Sequence, residues 1–487
     1  MQIYVFFVTC ETIIAGNNAP PMIFFVKFAS MNLDAAFVDA LHELLGAEAT
    51  QLVEALASAP SVSVRVNPLR GCSVAASATR VPWCPSGFYC DERPAFTFDP
   101  LHHGGCYYVQ DASSMFITHV IAQLIDGPVR YLDLCAAPGG KTTAALQALP
   151  QGSMVVANEV MPGRAMALAD NVTRWGDPAV VVTKSTAAQV GRLVGMFDVM
   201  ATDVPCSGEG MMRKDSEAVA QWTPTLVSEC ATRQRQILTD AWPALREGGL
   251  LIYSTCTFNR HENEEMVQFI IDQLGAEPVA VPTDPAWRIM AGIDTPHPVY
   301  RFMPHRTRGE GLFMAVLRKT APTGPSPKAP KNARNKGAAA IPAAVKKWVE
   351  ASLDLSTHND YIIATPPQVT AVLRQLGESL HVLQAGVTVA AAGRNKVVPQ
   401  HALAMSAART PGAFPHVEVD YATAISYLQG QAITIDAPRG YVLVNYRGTT
   451  LGLVNNLGAR ANNLYPKPLR ILSSHVPTEP VTLDGLA

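Results

Sequence analysis

From Val129 onward, the chain alternates short apolar segments with stretches of helical spacing. The apolar segments read VRYLDL, SMVVANE, AVVVTK, FDVMATD and GLLIYSTC, and each has the length of a buried strand. Strands separated by helices in this way predict a doubly wound α/β sheet, because parallel strands need a crossover between them. A further segment, EGLFMAVLRK, predicts another strand and places the end of this domain near residue 320.

The chain is longer than one ordinary domain, with 487 residues of which 48% are hydrophobic. Upstream, SVSVRVNPLRG alternates with period two and predicts a strand of a small α+β domain. Helical spacing begins after Met31, so we expect residues 1–30 to be a start-site artefact or disordered. The predicted parts are an N-terminal α+β domain at 31–125, a Rossmann-like domain at 126–320, a flexible basic linker at 321–345 and a β-rich C-terminal module at 346–487.

The linker is rich in Pro, Ala and Lys and shows no apolar period. Its cations are compatible with a solvated tether and equally with a tail that contacts RNA. These cations, with two from the start of the next module, are Lys328, Lys331, Arg334, Lys336, Lys346 and Lys347.

Composition and charge exclude several classes of protein. Nine cysteines without a C-x-x-C pair favour neither a disulfide framework nor a structural zinc site, and indicate a reducing, cytoplasmic compartment. His102 and His103 lack ligand spacing, so no metal is expected. No segment predicts a membrane span. A net charge of −2 gives no global basic field, so RNA affinity must come from local contacts, and nothing suggests more than a monomer.

A glycine-rich turn follows the first strand of the α/β domain, in YLDLCAAPGGKTTAALQAL. Gly139 and Gly140 stand where a strand turns into a helix, which lets a ligand approach the backbone. Glu159 ends the second strand, at a spacing typical of an acidic residue that binds ribose hydroxyls. The pattern indicates an adenosine-bearing ligand. The alternative is a phosphate-binding P-loop, but Cys135 occupies its first glycine position.

Two cysteines follow the fourth and fifth strands. The fourth strand ends at Asp203, directly before VPCSGEG with Cys206, and the fifth ends at Cys256 in YSTCT. The carboxyl ends of the strands of an open α/β sheet face the ligand crevice, so we expect these three side chains beside the glycine-rich turn. Lone cysteines are often small buried hydrophobes, but two at strand ends beside a nucleoside site favour thiol chemistry.

In this order and spacing, CAAPGGKT, TDVPCSGEG and YSTCT resemble the signature motifs of the Sun-type RNA cytosine-C5 methyltransferases. GCYYVQDASSM and HENEEMV resemble flanking segments of the same family. SGEGMMRKD and NNLYPKPLRI are most similar to its RsmF-type bacterial branch, whose known members act on small-subunit ribosomal RNA. The resemblance implies a Rossmann-like S-adenosylmethionine-dependent methyltransferase domain and a PUA-like RNA-binding C-terminal module.

The resemblance also implies roles for individual residues. Cys256 matches the nucleophile that attacks carbon 6 of cytosine, which makes carbon 5 able to accept a methyl group. Cys206 matches the cysteine that releases the methylated RNA, and Asp203 the carboxyl group at the cytosine edge and beside the cofactor. Lys141 lies on the active-site side of the cofactor turn. The implied cofactor contacts are Cys135, Ala136, Ala137, Pro138, Gly139, Gly140, Lys141, Glu159, Ser185 and Asp203.

One position departs from the family pattern. The family usually carries an acidic residue near the adenine, whereas this chain has VVVTKSTAAQVG. We assign the contact to Ser185, although Thr186 would serve equally well, and expect weaker cofactor binding. This departure motivates an alternative, an RNA-binding or ribosome-assembly factor with weak or lost activity. A tRNA cytosine-C5 methyltransferase is a further alternative. The candidate phosphate contacts of the C-terminal module are Arg447, Arg460, Lys467 and Arg470.

Overall fold

The structure of the protein is a computed structural model. It describes residues 33–72, 74, 77–325, 341–393, 396–481 and 483. The predictions for residues 1–30, for Met31 and for the linker cations Lys328, Lys331, Arg334 and Lys336 lie outside the described residues.

The N-terminal part is a helix pair followed by a small antiparallel sheet. Its elements are α1 (Ala35–Leu45), α2 (Ala49–Leu56), β1 (Val62–Val66), β2 (Gly87–Cys90), α3 (Pro100–His103), β3 (Tyr107–Val109) and α4 (Phe116–Leu124). The Asp34 carboxylate caps α1 by accepting a hydrogen bond from the amide of Ala36 at 2.8 Å. Strand β1 lies between β2 and β3. Phe37 of α1 packs edge-on against Trp222 of the central domain, which joins the two parts.

The central domain is built on a mixed sheet with helices on both faces. Its strands are β4 (Arg130–Asp133), β5 (Met154–Asn158), β6 (Val180–Thr183), β7 (Phe197–Asp203), β8 (Leu245–Thr255), β9 (Ala276–Pro278), β10 (Val299–Phe302) and β11 (Leu312–Lys319). Its helices are α5 (Gly140–Ala148), α6 (Pro162–Trp175), α7 (Ala187–Gly191), α8 (Ser216–Gln221), α9 (Pro224–Ala241) and α10 (Glu264–Leu274). The strands β6, β5, β4, β7 and β8 are parallel neighbours in that order, and β11 is antiparallel to β8.

The parallel strands are almost entirely buried, which explains their continuous apolar sequences. Side chains that point to opposite faces of the sheet enter two separate cores. Val155 and Val180 belong to one core, and Val156 and Val181 to the other. The predicted Rossmann-like α/β fold is confirmed.

The C-terminal part contains two further four-stranded sheets. Its elements are α11 (Ala343–Lys346), β12 (Asp354–His358), β13 (Tyr361–Thr365), α12 (Pro367–Ser379), β14 (Val382–Ala385), β15 (Val387–Ala392), β16 (Val397–Pro399), α13 (His401–Met405), β17 (His416–Glu418), α14 (Tyr421–Leu428), β18 (Gly440–Tyr446), β19 (Thr449–Asn456) and β20 (Ala461–Asn463). One sheet has the order β12, β13, β15, β16, and the other has the order β17, β18, β19, β20.

The C-terminal part is not packed as a separate module. Strand β14 pairs antiparallel with β6 and so covers the edge of the central sheet. From α12, Val369 and Leu376 are fully buried in a core of the central domain. This later segment therefore completes the central sheet. The domain boundaries stay a prediction.

Two features concern cysteines and membranes. Cys72 and Cys106 form a disulfide with a Cα–Cα distance of 6.0 Å, which the sequence pattern did not predict. The antiparallel pairing of β1 with β3 brings the two flanking segments together.

Across the described part of the chain, no helix is both long and apolar enough to cross a bilayer.

Candidate active site

The predicted site residues come together at the carboxyl edge of the central sheet. The order of the parallel strands reverses between β4 and β7, and a doubly wound sheet opens a ligand crevice at such a point. Strand β4 ends at Asp133 and β7 ends at Asp203, while Cys206 and Cys256 follow β7 and β8. The same edge carries the glycine-rich turn, which follows β4.

The glycine-rich turn is fixed by hydrogen bonds from helix α6. Arg164 donates to the carbonyl of Ala137, and Asn171 donates to the carbonyl of Pro138, both at 2.8 Å. Gly139, at the N-cap of α5, has a φ of 110°, a conformation that other residues rarely adopt. Ala136 and Ala137 are buried, so their small side chains bring the backbone of the turn close to the crevice.

Cys135 begins the turn and is half-buried. The Thr202 hydroxyl donates to its sulfur at 3.8 Å. Burial raises the pKa of Cys135 to about 12, so the thiol is neutral at physiological pH.

Two acidic residues line the cofactor side of the crevice. Glu159 accepts the amide of Met161 at 2.9 Å and pairs with Arg164 at 3.2 Å, which leaves carboxylate lone pairs for ribose hydroxyls. Asp133 accepts the hydroxyl of Thr142 at 2.6 Å, and burial raises its pKa to about 7. Together with the open turn, the carboxyl groups of Glu159 and Asp133 fit an adenosine-bearing cofactor that carries a positive charge.

Lys141 and Asp203 form an ion pair at the centre of the edge. The Lys141 ammonium lies 2.8 Å from Oδ2 of Asp203, and Ser254 donates to Oδ1 at 2.9 Å. Burial opposes the charge of Lys141, but attraction to Asp203, the hydrogen bond to it and the nearby Cys256 and Asp133 together outweigh burial and raise the pKa of the lysine. Because Lys141 binds a carboxylate, it does not have the role of a P-loop lysine.

The two cysteines predicted to be reactive are in contact. The Cys206 and Cys256 sulfur atoms are 3.2 Å apart, and both residues are half-buried. The hydrogen bond with Cys256, followed by burial, raises the pKa of Cys206 well above its usual value. A charge on one sulfur therefore opposes a charge on the other.

A buried carboxylate holds the two cysteine loops in register. Glu262 accepts the amide of Ser207 at 3.0 Å and the side-chain amides of Gln234 and Asn259 at 2.7 and 2.8 Å. Burial raises the pKa of Glu262 to about 7. Ser207 follows Cys206, and Asn259 lies shortly after Cys256. The hydrogen bonds of Glu262 therefore hold the loops of both cysteines in fixed positions.

A second carboxylate supports the same loops. Glu209 accepts the backbone amides of Phe258 and Asn259 at 2.6 and 3.0 Å, and the indole of Trp222 at 3.0 Å. Four residues of this site were not predicted from the sequence: Asp133, Ser254, Glu209 and Glu262. The position of Asp133 at the end of a strand was the available signal for that residue, and the two glutamates lie within the segments SGEGMMRKD and HENEEMV that carry the family resemblance.

The two hydroxyls proposed near the adenine have different surroundings. The Thr186 side chain caps α7, accepting the Gln189 amide at 3.2 Å and donating to the Gln189 side chain at 3.3 Å. Ser185 is buried, and its hydroxyl accepts the backbone amide of His381 at 3.0 Å. The Ser185 hydroxyl can still donate a hydrogen bond, whereas the single hydroxyl proton of Thr186 is already used.

Other predicted positions lie away from this edge. Arg447, Arg460 and Lys467 are exposed on the C-terminal part, and Arg470 is half-buried. Lys346 and Lys347 are exposed at α11. His102 packs between aromatic rings, and within the described ranges no cluster of three potential ligands could hold a metal.

Three family models match separate stretches of the chain. The model described as 16S rRNA methyltransferase RsmB/F matches residues 125–318. The N-terminal domain of 16S rRNA methyltransferase RsmF matches 33–112, and the methyltransferase RsmF PUA domain matches 414–471. The last match falls on the sheet of β17 to β20.

Whole-chain comparisons agree with these matches. Ribosomal RNA small subunit methyltransferase F of Cronobacter sakazakii is 32% identical, covering 91% of this chain and 97% of the relative. The protein of the same name from Escherichia coli O127:H6 is also 32% identical, covering 80% of this chain and 84% of that relative. The crystal structure of a methyltransferase homolog protein from Pyrococcus horikoshii is similar with a TM-score of 0.51 and 26% identity, covering 59% of this chain and 96% of that one.

Proposed function

Because this chain belongs to the RsmF branch of the RsmB/F family of 16S rRNA methyltransferases, we propose that it methylates carbon 5 of a cytosine in small-subunit ribosomal RNA. The observation that carries the proposal is the contact between the Cys206 and Cys256 thiols, 3.2 Å apart beside the Lys141–Asp203 pair. A methyl donor is implied by the family, and S-adenosylmethionine, when bound in the crevice, supplies an electrophilic methyl group.

Cys256 is the nucleophile in this mechanism. Its thiolate forms a bond to carbon 6 of the cytosine, and the electron pair of the C5–C6 double bond moves so that carbon 5 can take up the methyl group. The Asp203 carboxyl group, held by Lys141 and Ser254, is placed to contact the N3 edge of the base.

Cys206 completes the cycle. While Cys256 is a thiolate, Cys206 remains a neutral thiol because two adjacent charges are unfavourable. Once the sulfur of Cys256 is bound to carbon 6, that negative charge is gone and the pKa of Cys206 falls. Cys206 can then lose its proton to water, and its thiolate can remove the proton from carbon 5, so that the C–H electron pair restores the double bond and the Cys256–carbon bond breaks with its electron pair on sulfur.

The cofactor assignment predicts a loss of affinity in Glu159→Gln. The amide loses the negative charge that favours the ribose hydroxyls, so S-adenosylmethionine should bind about 10- to 100-fold more weakly. Calorimetry on the full-length protein measures this change, with Glu265→Gln, a half-buried residue of α10 that pairs with His261, as a control. Equal affinity of wild type and Glu159→Gln would contradict the assignment. No binding to the wild type would instead favour an assembly factor.

The substrate assignment predicts a missing modification in cells that lack the protein. Bisulfite sequencing of ribosomal and transfer RNA should show one or more small-subunit cytosines that lose their resistance to conversion. The wild-type gene should restore the signal, and Cys256→Ala should not. A signal lost from transfer RNA instead would support the alternative tRNA enzyme, and an unchanged pattern in both RNAs would reject the proposed activity.

A further inference from the structure

One buried polar side chain interrupts the apolar face of helix α9. The buried residues of this helix follow helical spacing, and Gln234 is the polar residue among them: Val227, Cys230, Ala231, Gln234, Leu238 and Ala241. Gln234 is fully buried. A buried amide group lowers stability unless its hydrogen bonds are made, whereas an apolar side chain would satisfy the packing without them. Packing alone therefore does not explain a glutamine at this position.

Gln234 fixes the backbone beside Cys206. Its side-chain nitrogen donates to the carbonyl of Pro205 at 2.9 Å and to the Glu262 carboxylate at 2.7 Å. The same carboxylate accepts the amide of Ser207 at 3.0 Å. The peptide groups before and after the Cys206 Cα atom are therefore both hydrogen-bonded to Gln234 and Glu262. These bonds restrict the backbone dihedral angles that aim the Cys206 thiol.

The orientation of the Gln234 amide is fixed by Tyr253. The Tyr253 hydroxyl lies 3.0 Å from Oε1 of Gln234 and 2.6 Å from the carbonyl oxygen of Glu262, so these two acceptors share its single proton. The nitrogen of the amide thus faces two acceptors, and its oxygen faces a donor. Tyr253 belongs to β8, the strand that ends directly before Cys256. Gln234 is therefore held by the central sheet.

Asn263 occupies the corresponding place beside Cys256. It is the N-cap residue of α10, where an asparagine side chain usually accepts an amide of the first turn, but among the described residues it makes no such hydrogen bond. Its Oδ1 instead accepts the hydroxyl of Thr255 at 2.6 Å, and its Nδ2 donates to the carbonyl of Thr257 at 3.0 Å. The fully buried Asn263 side chain thus bridges the two residues on either side of Cys256.

The two cysteines are therefore held by different side chains. Gln234 contacts the backbone next to Cys206, and Asn263 contacts the residues next to Cys256. Glu262 serves both loops. Misplacement of a reacting group by about 1 Å can lower a rate by about 100-fold. Gln234 and Asn263 are thus the positions at which a substitution can displace one thiol more than the other.

We propose that Gln234 and Asn263 are positioning residues for separate steps of the reaction. Asn263 aims the Cys256 sulfur at carbon 6 of the cytosine, and Gln234 aims the Cys206 sulfur at the proton on carbon 5. The inference rests on the proposed function, because both steps belong to it. Loss of the Asn263 side chain should slow formation of the covalent adduct, whereas loss of the Gln234 amide should slow its breakdown.

Gln234→Met and Asn263→Ala test the proposal, because each removes the hydrogen bonds and leaves both cysteines in place. The reaction is a single turnover of small-subunit RNA with S-adenosylmethionine that carries a labelled methyl group. The label on RNA, free or in adduct, measures methyl transfer. Denaturing electrophoresis measures the protein–RNA adduct that has not been resolved.

The two variants should slow different steps. Gln234→Met should transfer the methyl group within about threefold of the wild-type rate, release RNA about 10- to 100-fold more slowly and accumulate adduct. Asn263→Ala should transfer the methyl group about 10- to 100-fold more slowly and accumulate no adduct. Gln236→Met on the exposed face of α9 and Gln268→Ala on the exposed face of α10 are the matched controls, which should behave like the wild type.

Two milder variants keep the test decisive if a larger change unfolds the protein. Tyr253→Phe removes the hydroxyl that orients Gln234, and Thr255→Val removes the hydroxyl that Asn263 accepts, each with little change of shape. They should slow release and transfer, respectively, by a smaller factor. Calorimetry should show wild-type affinity for S-adenosylmethionine in every variant that has folded.

The pattern of rates separates the outcomes. Equal defects in both steps, wild-type kinetics in both variants or the reverse assignment would overturn the inference, because general support of the fold would affect both steps together. If the wild type methylates the RNA and the variants do not differ in the step that they slow, only the positioning roles are rejected. If the wild type attaches no label to RNA and Cys206→Ala forms no adduct, the proposed function is rejected and the inference with it.

Discussion

Cys256→Ala should abolish methyl transfer and leave S-adenosylmethionine affinity nearly unchanged. The thiolate is proposed to form the bond to carbon 6, so its loss should lower turnover by about 10⁴-fold or more. The Cys256 side chain contacts the Cys206 sulfur, and its carbonyl, which accepts the Gly210 amide at 2.8 Å, is kept in the variant. The loops that surround the crevice should therefore hold their positions.

Single-turnover transfer of a labelled methyl group to small-subunit RNA measures the effect, and calorimetry measures cofactor affinity. Cys230→Ala is the matched control, because Cys230 is also an unpaired cysteine but lies buried on α9. Its activity should be close to that of the wild type. Turnover by Cys256→Ala at a rate comparable to Cys230→Ala would remove Cys256 from the role of nucleophile.

The arrangement of the central domain was predictable because its signals are local. Buried parallel strands require continuous apolar segments. The apolar residues around Val155 and Val181 therefore indicate from the sequence alone that these strands are buried. The rule that ligands bind at the carboxyl ends of strands then predicts that Asp203, Cys206 and Cys256 meet, although they are far apart in sequence. The membership of the Sun-type family, predicted from three motifs, is confirmed by the matches along the chain.

The remaining features depend on contacts that leave no local pattern. Strand β14 reads like any short β segment, and its pairing with β6 depends on an uncovered sheet edge formed some two hundred residues earlier in the chain. Ser61 and Glu310 are hydrogen-bonded across 249 positions of sequence. Glu209 and Glu262 support the cysteine loops only because they are buried. A glutamate looks the same in the sequence whether it is buried or exposed, so this role could not be predicted. Such non-local contacts become visible only when the fold is known.

The departure at the adenine position has a structural counterpart. The Ser185 hydroxyl accepts a hydrogen bond from the His381 amide, and the Lys184 amide donates to the His381 carbonyl at 2.8 Å. The segment that leads into β14 therefore fixes the loop where the family usually has an acidic residue. The resemblance predicts a hydroxyl in place of a carboxylate in this loop, and the hydrogen bonds with His381 hold the loop in place before any cofactor binds.

Cys206→Ala should accumulate enzyme covalently attached to its RNA. The variant retains Cys256, Lys141 and Asp203, so the sulfur–carbon bond and the methylation of carbon 5 should proceed. The proton at carbon 5 then lacks its base, and the Cys256–carbon bond cannot break. A slowly migrating protein–RNA species should appear in denaturing electrophoresis and disappear after nuclease digestion, at a level near one adduct per active site.

The double variant Cys206→Ala, Cys256→Ala distinguishes a catalytic adduct from adventitious crosslinking, because no thiol at the site is then available to attack carbon 6. It should give no adduct, and Cys230→Ala should give no more than the wild type. The contact between the two sulfurs at 3.2 Å permits either cysteine to reach the base, so the single variants assign the roles. An adduct in Cys256→Ala and none in Cys206→Ala would reverse them. Release of methylated RNA by Cys206→Ala at the wild-type rate would leave Cys206 a packing residue, and the proton at carbon 5 would then have to leave to another base or to water.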